Sequence, residues 1–543
     1  MAPATTNREA VRGRAHARRS LALACLVAVA AACLPRGDPP AGRQLVADRT
    51  TTLVGIVRPN GDGITRVLIV RPASDATIPY ALDLFVVSAD SAGGPPVERL
   101  LAASLPGGFA VGCGAWVTEC FRTDARGRLL VTTSSDANRT LTTMARIDPV
   151  AGDRLELGAV SYDLLSPNGE RLVVFTGDGL AAEATLYEAD DRVIPLGRAT
   201  DVGFVGEVLL FVAAQQELMR ILPGGAPERV ATGVVGVSQQ MTDGDRLIVL
   251  FRPTADPMVN AASVLDVVTL EETPGPPGAL AFTLSPSGRW FYRADFETGL
   301  FTFIDRATSL QDVVEFPPYR IGSYEWRPGH DEVWFQNAQI DPAQARTISI
   351  KKPGAPAVEI PGSLLAYSDG SGRASSFTHD GVYWFSSPAT SSERPIVQVG
   401  SADDPTGDRF DLAPAGTFSF NYWPLADGRL LVPASVRSAL DRNDLYVVAP
   451  ATGSSQLVGE SGLVLAVGDT RLLVSAFVSE SKGDLTAIEL ATGRATVLAP
   501  EFALGAFVER EGADPVAPGA RVAFQFQARF SSPYDGIWLT TVP

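Results

Sequence analysis

A short turn-and-strand unit recurs along the chain, and it limits the possible folds more than any other feature. Each copy joins a turn built from Pro, Gly and Asn, Asp or Ser to a short apolar run. The best pair is LSPNGERL at 165–172 and LSPSGRWF at 284–291, with weaker copies at 124–129, 242–247, 326–331 and 425–430. Proline fixes φ, the short polar side chain bonds its own backbone and glycine takes positive φ, so each copy predicts a tight hairpin.

Further short strands follow each hairpin and complete the unit. Runs such as DLFVVS at 83–88, LFTFID at 300–305 and DLYVV at 444–448 come next, and a glycine turn then leads to a closing strand. A strand unit that repeats about every 35–50 residues is typical of the four-stranded blade of a β-propeller. We therefore expect an all-β chain with helix below about 10% outside the first segment. An array of β-sandwiches, which also spaces its strands evenly, is the alternative.

The repeat resembles a known family. A Ser-Pro-(Asn/Ser)-Gly turn entering an apolar strand, followed by Asp-Leu-(Phe/Tyr)-Val-Val, is similar to the TolB-type, WD-repeat-like propeller repeat, although the Trp-Asp dipeptide of true WD repeats is absent. The resemblance extends over about residues 45–543. It implies a β-propeller that binds a partner in the cell envelope.

The number of units bears on the domain organisation. About eleven units exceed the four to eight blades of a typical propeller, which predicts two consecutive propellers, 45–281 and 282–543. The most Pro- and Gly-dense stretch, TPGPPG at 273–278, lies just before this boundary. The alternative is one large ring in which that stretch is a blade loop.

The first residues are typical of an export signal. Five arginines within residues 1–20 precede an uncharged apolar run at 21–32, which is too short to cross a bilayer. We assign 1–32 as a signal peptide, and a buried N-terminal helix is the alternative. The Arg18-Arg19 pair also resembles a twin-arginine signal, without its usual flanking pattern.

The end of this signal resembles the bacterial lipobox. AAAC at 30–33 places small residues before a cysteine, with Ala30 where leucine is usual. The resemblance implies that Cys33 is acylated and becomes the mature N-terminus, and that Leu34 directs sorting to the outer membrane. Residues 33–44 then form a flexible tether. Cleavage after Ala-x-Ala, which would release a soluble periplasmic or secreted protein, is the alternative.

Charge and motif content exclude several functions. A net charge of −16 would repel phosphate, so nucleic acid is not an expected partner. The sequence has no Gly-x-Ser-x-Gly, His-Glu-x-x-His or Cys-x-x-Cys motif, and it predicts no catalytic residue, metal or cofactor. His330 and His379 are interpreted as solvent-facing turn residues. The oxygen-rich runs NGDG at 60–63 and DDPTGD at 403–408 lack EF-hand spacing and are interpreted as solvated turns.

Two cysteines remain in the body of the chain. In an exported protein, Cys113 and Cys120 are expected to form a local disulfide, with two reduced thiols as the alternative. Two functional hypotheses follow from the whole sequence. One is a lipid-anchored, non-catalytic propeller scaffold that binds a protein or an envelope polymer. The other is a propeller enzyme, such as a lactonase, lyase or glycan-acting hydrolase, with its site at the axial funnel.

Overall fold

The computed structural model describes most of the chain downstream of the tether. The described residues are 43–47, 51–57, 62–73, 81–90, 94–105, 121–134, 142–177, 182–239, 246–255, 260–275, 283–295, 299–315, 321–337, 346–365, 367–369, 374–387, 397–412, 417–418, 421–436, 443–460, 462–479, 482–502, 506–508, 514–526 and 536–543. Within them, strands and turns alternate, with a single 3-10 turn at Ala214–Gln216. Cys33, Cys113 and Cys120 lie outside the described residues.

The strands form antiparallel sheets that we number as blades in chain order. The first strand, Gln44–Ala47 (β1), belongs to the last blade. Blade 1 contains Thr52–Ile56 (β2), Ile64–Pro72 (β3), Leu82–Asp90 (β4) and Val97–Leu105 (β5). Blade 2 contains Leu129–Ser134 (β6), Thr142–Ile147 (β7) and Arg154–Ala159 (β8). Blade 3 contains Tyr162–Leu165 (β9), Leu172–Thr176 (β10), Glu183–Tyr187 (β11) and the first half of Val193–Val205 (β12). Blade 4 contains the second half of β12, Val208–Ala213 (β13), Glu217–Ile221 (β14) and Glu228–Ala231 (β15).

The middle blades follow the same order. Blade 5 contains Gly236–Gln239 (β16), Leu247–Pro253 (β17), Asn260–Asp266 (β18) and Glu272–Pro274 (β19). Blade 6 contains Thr283–Leu284 (β20), Trp290–Asp295 (β21), Leu300–Asp305 (β22) and Gln311–Glu315 (β23). Blade 7 contains Ile321–Trp326 (β24), Val333–Asn337 (β25), Thr347–Lys351 (β26) and Val358–Pro361 (β27).

The last four blades complete the chain. Blade 8 contains Ser363–Leu364 (β28), Tyr383–Ser387 (β31), Gln398–Ser401 (β32) and Arg409–Asp411 (β33). Blade 9 contains Asn421–Pro424 (β35), Leu430–Val436 (β36), Asn443–Ala449 (β37) and Ser454–Gly459 (β38), joined by Tyr367–Asp369 (β29), Ala374–Ser375 (β30) and Thr417–Phe418 (β34). Blade 10 contains Gly462–Val467 (β39), Arg471–Ser479 (β40), Lys482–Glu489 (β41) and Ala495–Phe502 (β42). Blade 11 contains Ala506–Val508 (β43), Arg521–Phe526 (β44), Gly536–Thr541 (β45) and β1.

The two matched turns occupy equivalent places, as the repeat predicts. One joins the first two strands of blade 3 and the other joins the first two strands of blade 6. In each, the serine N–H donates to the carbonyl five residues on, at 2.8 Å from Ser166 to Arg171 and 3.0 Å from Ser285 to Trp290. The serine hydroxyl in turn accepts the N–H of the same residue, which aligns the following strand. The turn chemistry therefore places both apolar strands in register.

The core is divided among the spaces between blades. Each apolar cluster combines side chains from two consecutive blades, as where Leu247 and Val249 of blade 5 meet Phe291 of blade 6. Residues that alternate along a strand point to opposite faces, so each inner strand supplies two neighbouring clusters. A sheet that cannot bury its faces alone thus buries both against its neighbours.

The two ends of the chain meet in one sheet. Strand β1 pairs with β45, and an apolar cluster joins blade 11 to blade 1 through Val46, Leu53 and Ile537 among others. Outermost strands such as β23 and the first half of β12 alternate exposed and half-buried residues, as expected at a rim. Antiparallel four-stranded blades packed in sequence and closed in this way form a β-propeller, and the all-β propeller predicted from the TolB-like repeat is confirmed.

The predicted boundary between two propellers falls within 276–282, outside the described residues. Blades 5 and 6, on either side of it, share an apolar cluster as other consecutive blades do. The pairing of β1 with β45 also joins the first and last parts of the chain in one sheet. Both features favour the alternative of one large ring, and the division at about residue 281 stays a prediction.

Candidate binding surface

Hairpin turns of blades 7 and 8 meet on one face of the protein. The turn from Arg327 to His330 joins β24 to β25, and the turn from Thr378 to Gly381 occupies the same place in blade 8. The two turns touch, because a Cβ at Gly381 would lie 2.4 Å from the carbonyl oxygen of Pro328. Gly381 also has a φ of 68°, so both contact and conformation require glycine there.

A buried arginine joins these turns. The fully buried guanidinium of Arg327 donates from Nε to the carbonyl of Gly381 at 2.7 Å and from Nη1 to the carbonyl of Ala402 at 3.2 Å. Its Nη2 donates to the carboxylate of Asp403 at 2.6 Å. This hydrogen bond, followed by the charge of the same guanidinium, lowers the pKa of Asp403. One blade 7 side chain thus holds two separate turns of blade 8.

A buried carboxylate lies beside this arginine. Glu332 accepts a hydrogen bond from the indole Nε1 of Trp334 at 2.5 Å and an ion pair from Lys352 at 2.9 Å, and Arg327 lies 3.9 Å away. Burying a carboxylate is costly unless it is paired and hydrogen-bonded, and here both conditions hold. The pairing fixes the exposed Lys352 side chain over the turn surface.

Exposed imidazole and carboxylate groups surround this buried pair. His330 is exposed, with its Nδ1 2.9 Å from the carbonyl of Pro328, and His379 is exposed on the adjoining turn. Asp403 is exposed beside them. We name Arg327, His330, Glu332, Lys352, His379 and Asp403 the blade 7–8 turn cluster. Imidazole and ammonium groups donate hydrogen bonds to carboxylate and phosphate oxygens, so this surface can bind an anionic group.

The cluster also extends to blade 6. Asp331 accepts hydrogen bonds from the N–H of Ser287 at 3.1 Å and from its hydroxyl at 2.6 Å. Lys351, which is buried, pairs with Asp312 of blade 6 at 2.8 Å. Burial opposes ionisation of Asp312, but its bonds from Lys351 and Gly354 outweigh it and lower the pKa of this carboxyl. Three consecutive blades are therefore held in one arrangement beneath the exposed side chains.

Similar arginine contacts join other blades. Arg99 of blade 1 donates to three carbonyls of blade 2, at residues 149–151. Arg146 of blade 2 reaches the carbonyl of Glu188 in blade 3 at 2.9 Å, and Arg220 of blade 4 reaches that of Val267 in blade 5 at 2.7 Å. Each side chain is directed toward the next blade along the chain. Most buried arginines of this kind therefore have a structural role.

The sequence placed His330 and His379 in separate repeat turns, and both do lie in exposed turns. What the sequence did not reveal is that these turns touch. The chain contains three His and few Lys, yet two of the histidines and Lys352 lie in this one cluster, and the adjoining Lys351 contacts blade 6. The available signal was that the two histidine turns hold the same place in consecutive repeats.

The oxygen-rich runs are engaged within the protein where the structure describes them. Asp62 pairs with Arg66 at 2.5 Å, whereas residues 60–61 lie outside the described residues. Asp403 bonds Arg327, and Asp404 closes a turn by accepting the N–H of Gly407 at 3.0 Å. Among the described residues no group of three or more His, Cys, Asp or Glu side chains has a metal-binding arrangement. No described helix is long and apolar enough to cross a membrane.

Comparison with known proteins gives similarity at the level of structure. The sequence matches no family model, and the search of curated proteins returns no relative. The β-propeller domain of the Trilobed protease from Pyrococcus furiosus is 14% identical, covering 55% of this chain and 96% of that one, with a TM-score of 0.29. TolB from Acinetobacter baumannii is 12% identical over 50% of this chain and 63% of that one, with a TM-score of 0.21. The tricorn protease is 10% identical over 80% and 58%, with a TM-score of 0.25.

Proposed function

We propose that this protein is an exported, lipid-anchored, non-catalytic propeller scaffold that binds an envelope protein or polymer at the blade 7–8 turn cluster. The observation that supports binding is that some side chains of the cluster are buried and hold the turns, while others are exposed. Arg327 and Glu332 are buried and hold the turns together, while His330, Lys352 and His379 are presented to solvent. A surface held rigid before binding loses less entropy when a partner docks.

The chemistry of the exposed groups suggests the partner. Lys352 and His379 offer N–H donors on a chain whose net charge is −16, and His330, whose Nδ1 faces the carbonyl of Pro328, presents its Nε2 beside them. A concentration of donors on an acidic protein favours an anionic group on the partner, such as an acidic protein segment or an anionic envelope polymer. Asp403 adds an acceptor at the edge of this surface, which allows a mixed hydrogen-bonding contact.

The alternative, an axial enzyme site, has weaker geometric support. Arg122, which precedes β6 of blade 2, lies beside Asp163 on β9 of blade 3, with Nη2 2.6 Å and 2.5 Å from the two carboxylate oxygens. A carboxylate bonded through both oxygens to one guanidinium is already engaged. It is therefore less suited to act as a general base than an unpaired carboxylate would be.

Site-specific photo-crosslinking in a Gram-negative host tests the binding surface. We expect a photo-reactive residue at His379 to form an adduct that the double variant His330→Gln, Lys352→Gln removes, while the new amide at 352 keeps a hydrogen-bond donor for the buried Glu332. Arg494, which is exposed on a turn of blade 10 and lies 3.8 Å from Glu489, is the matched control position and should give no such adduct. Sensitivity of the adduct to a protease or to a glycan hydrolase distinguishes a protein from a polymer. Equal adducts at both positions, unaffected by the double variant, would contradict the assignment.

A further inference from the structure

At one position of the outermost strands, the residue is apolar in some blades and charged or proline in others. In blades 1, 2, 3, 4, 9, 10 and 11 a β-bulge interrupts the pairing of the third strand with the outermost strand. The bulge falls at the same place in all seven blades and can therefore be used to align their outer strands. The residue just before the bulge then has the same structural position in each blade. These residues are Leu100, Glu156, Pro195, Arg229, Leu457, Val497 and Leu45.

The position is apolar in four consecutive blades. Blades 9, 10, 11 and 1 carry Leu457, Val497, Leu45 and Leu100, whereas blades 2, 3 and 4 carry Glu156, Pro195 and Arg229. Leu457, Val497 and Leu100 are 43%, 50% and 51% exposed. Charged residues and proline are the usual protection of an exposed edge strand, and blades 2 to 4 have it. We name Leu457, Val497, Leu45 and Leu100 the apolar rim.

The outer strands of blades 9 and 10 carry little charge near this position. Strand β38 of blade 9 contains no charged residue, and the start of β42 around Val497 contains none either. Glu98, two residues before Leu100 on β5, is bonded to both terminal nitrogens of Arg71 at 2.6 Å. On a chain of net charge −16, a rim with few free carboxylates is a surface that anionic headgroups repel least.

The anchor enters the fold within this rim. Strand β1 is the outermost strand of blade 11, and Leu45 follows Gln44, the first residue of that strand. Between Cys33 and Gln44 the chain can extend about 36–40 Å at most. A lipid on Cys33 would therefore hold the outer edge of blade 11, and with it the neighbouring part of the apolar rim, near the bilayer.

We infer that the apolar rim of blades 9, 10, 11 and 1 docks on the surface of the lipid bilayer that holds the anchor. The inference rests on the proposed acylation of Cys33. A few half-exposed aliphatic side chains bind a membrane weakly by themselves. The tether makes their contact intramolecular, and a weak contact is then sufficient to orient the propeller. Docking through this rim would leave blade 4, three blades beyond blade 1, farther from the membrane than the apolar rim.

Quenching by lipid measures this orientation directly. The lipidated full chain, carrying Leu457→Cys or Val497→Cys labelled with an environment-sensitive dye, is reconstituted in phosphatidylethanolamine–phosphatidylglycerol vesicles that contain brominated lipid. Arg229→Cys is the matched control, because it has the same register position in blade 4, which is four blades from blade 11, whereas Leu457 is two blades from it. Wild-type protein treated with the same dye gives the labelling background. Side chains that enter the headgroup region should be quenched at least about threefold more than the control.

The outcomes separate the rim from the anchor. Stronger quenching at Leu457 and Val497 than at Arg229 supports docking. If wild-type protein floats with the vesicles but all three positions quench equally, the apolar rim does not dock and the anchor stands. If wild-type protein does not float, the anchor itself fails and the inference fails with it. A dye signal at Val497 that depends on protein concentration and not on lipid would overturn docking in favour of contact between two copies.

Discussion

Replacing Arg327 with alanine should weaken the interface between blades 7 and 8 more than any surface substitution in the same region. The change removes three donors that serve the carbonyls of Gly381 and Ala402 and the carboxylate of Asp403. It also leaves the buried Glu332 with Lys352 as its remaining cationic partner. Each buried carbonyl left without its donor costs about 1–3 kcal/mol, so the carbonyls of Gly381 and Ala402 together account for about 2–6 kcal/mol. We expect the free energy of unfolding to fall by about 4 kcal/mol.

Denaturation in urea, followed by tryptophan fluorescence, measures this loss. Trp334 and Trp384 lie in the cluster between the two blades with ring centroids 4.8 Å apart, so their emission reports on this interface. Arg327→Met, which keeps apolar volume but no donors, should lose nearly as much as Arg327→Ala. The slope of the free energy of unfolding against urea concentration should stay unchanged if the blades still unfold together.

Arg429 provides the matched control. It follows the hairpin turn of blade 9 and pairs within that turn, at 2.7 Å from Asp427, with its side chain 32% exposed. Exposed pairs contribute about 0–1 kcal/mol, so Arg429→Ala should cost less than that. If Arg327→Ala costs no more than Arg429→Ala, the blades are not held together by this arginine and the reasoning is refuted.

Four further predictions concern the lipid anchor, the disulfide and two buried or paired side chains. Cys33→Ser should move the protein from the membrane fraction to the soluble fraction in a Gram-negative host, and unchanged membrane association would contradict acylation. Mass spectrometry of a non-reduced digest should recover Cys113 and Cys120 as one disulfide-linked peptide, whereas two free thiols would exclude it. Burial raises the pKa of Tyr292, whose hydroxyl has no hydrogen-bond partner among the described residues, so Tyr292→Phe should raise the free energy of unfolding by about 1 kcal/mol, and a loss in urea titrations would contradict this. Glu272 accepts hydrogen bonds from Arg252, and these are the main cause that lowers the pKa of its carboxyl. The contribution of Glu272 to stability is therefore complete above the unfolded pKa of about 4.3 and is lost as the pH falls through the folded pKa. Glu272→Gln should flatten that loss in urea midpoints measured across acidic pH.

Local chemistry determined much of the architecture. The turns at 165–172 and 284–291 specify their own hydrogen bonds, because Ser, Pro and Gly act through φ preference and contacts within a few residues. The apolar runs that follow them have the alternation and length of strands. A period of about 35–50 residues then predicts repeated four-stranded blades, and counting the repeats gives about eleven of them.

The order of blades in space and the closing contact came from the tertiary structure. Strand β1 pairs with β45 although nearly the whole chain separates them, and no local pattern marks Gln44 as the partner of Leu539. A pairing of this kind is decided by which sheet edges remain open once every blade has packed on its neighbour. For the same reason, the sequence alone did not distinguish one ring from two.

The candidate surface and the apolar rim also depended on the fold. The sequence by itself determined that His330 and His379 lie in exposed turns, and that valines and leucines occur in short strands. It did not determine that the two turns touch through Gly381 and Pro328, or that Leu457 and Val497 share one register position. Turn and strand preferences act within a few residues, whereas these contacts join residues from different blades. Only the packing of one blade against the next decided which of them became neighbours.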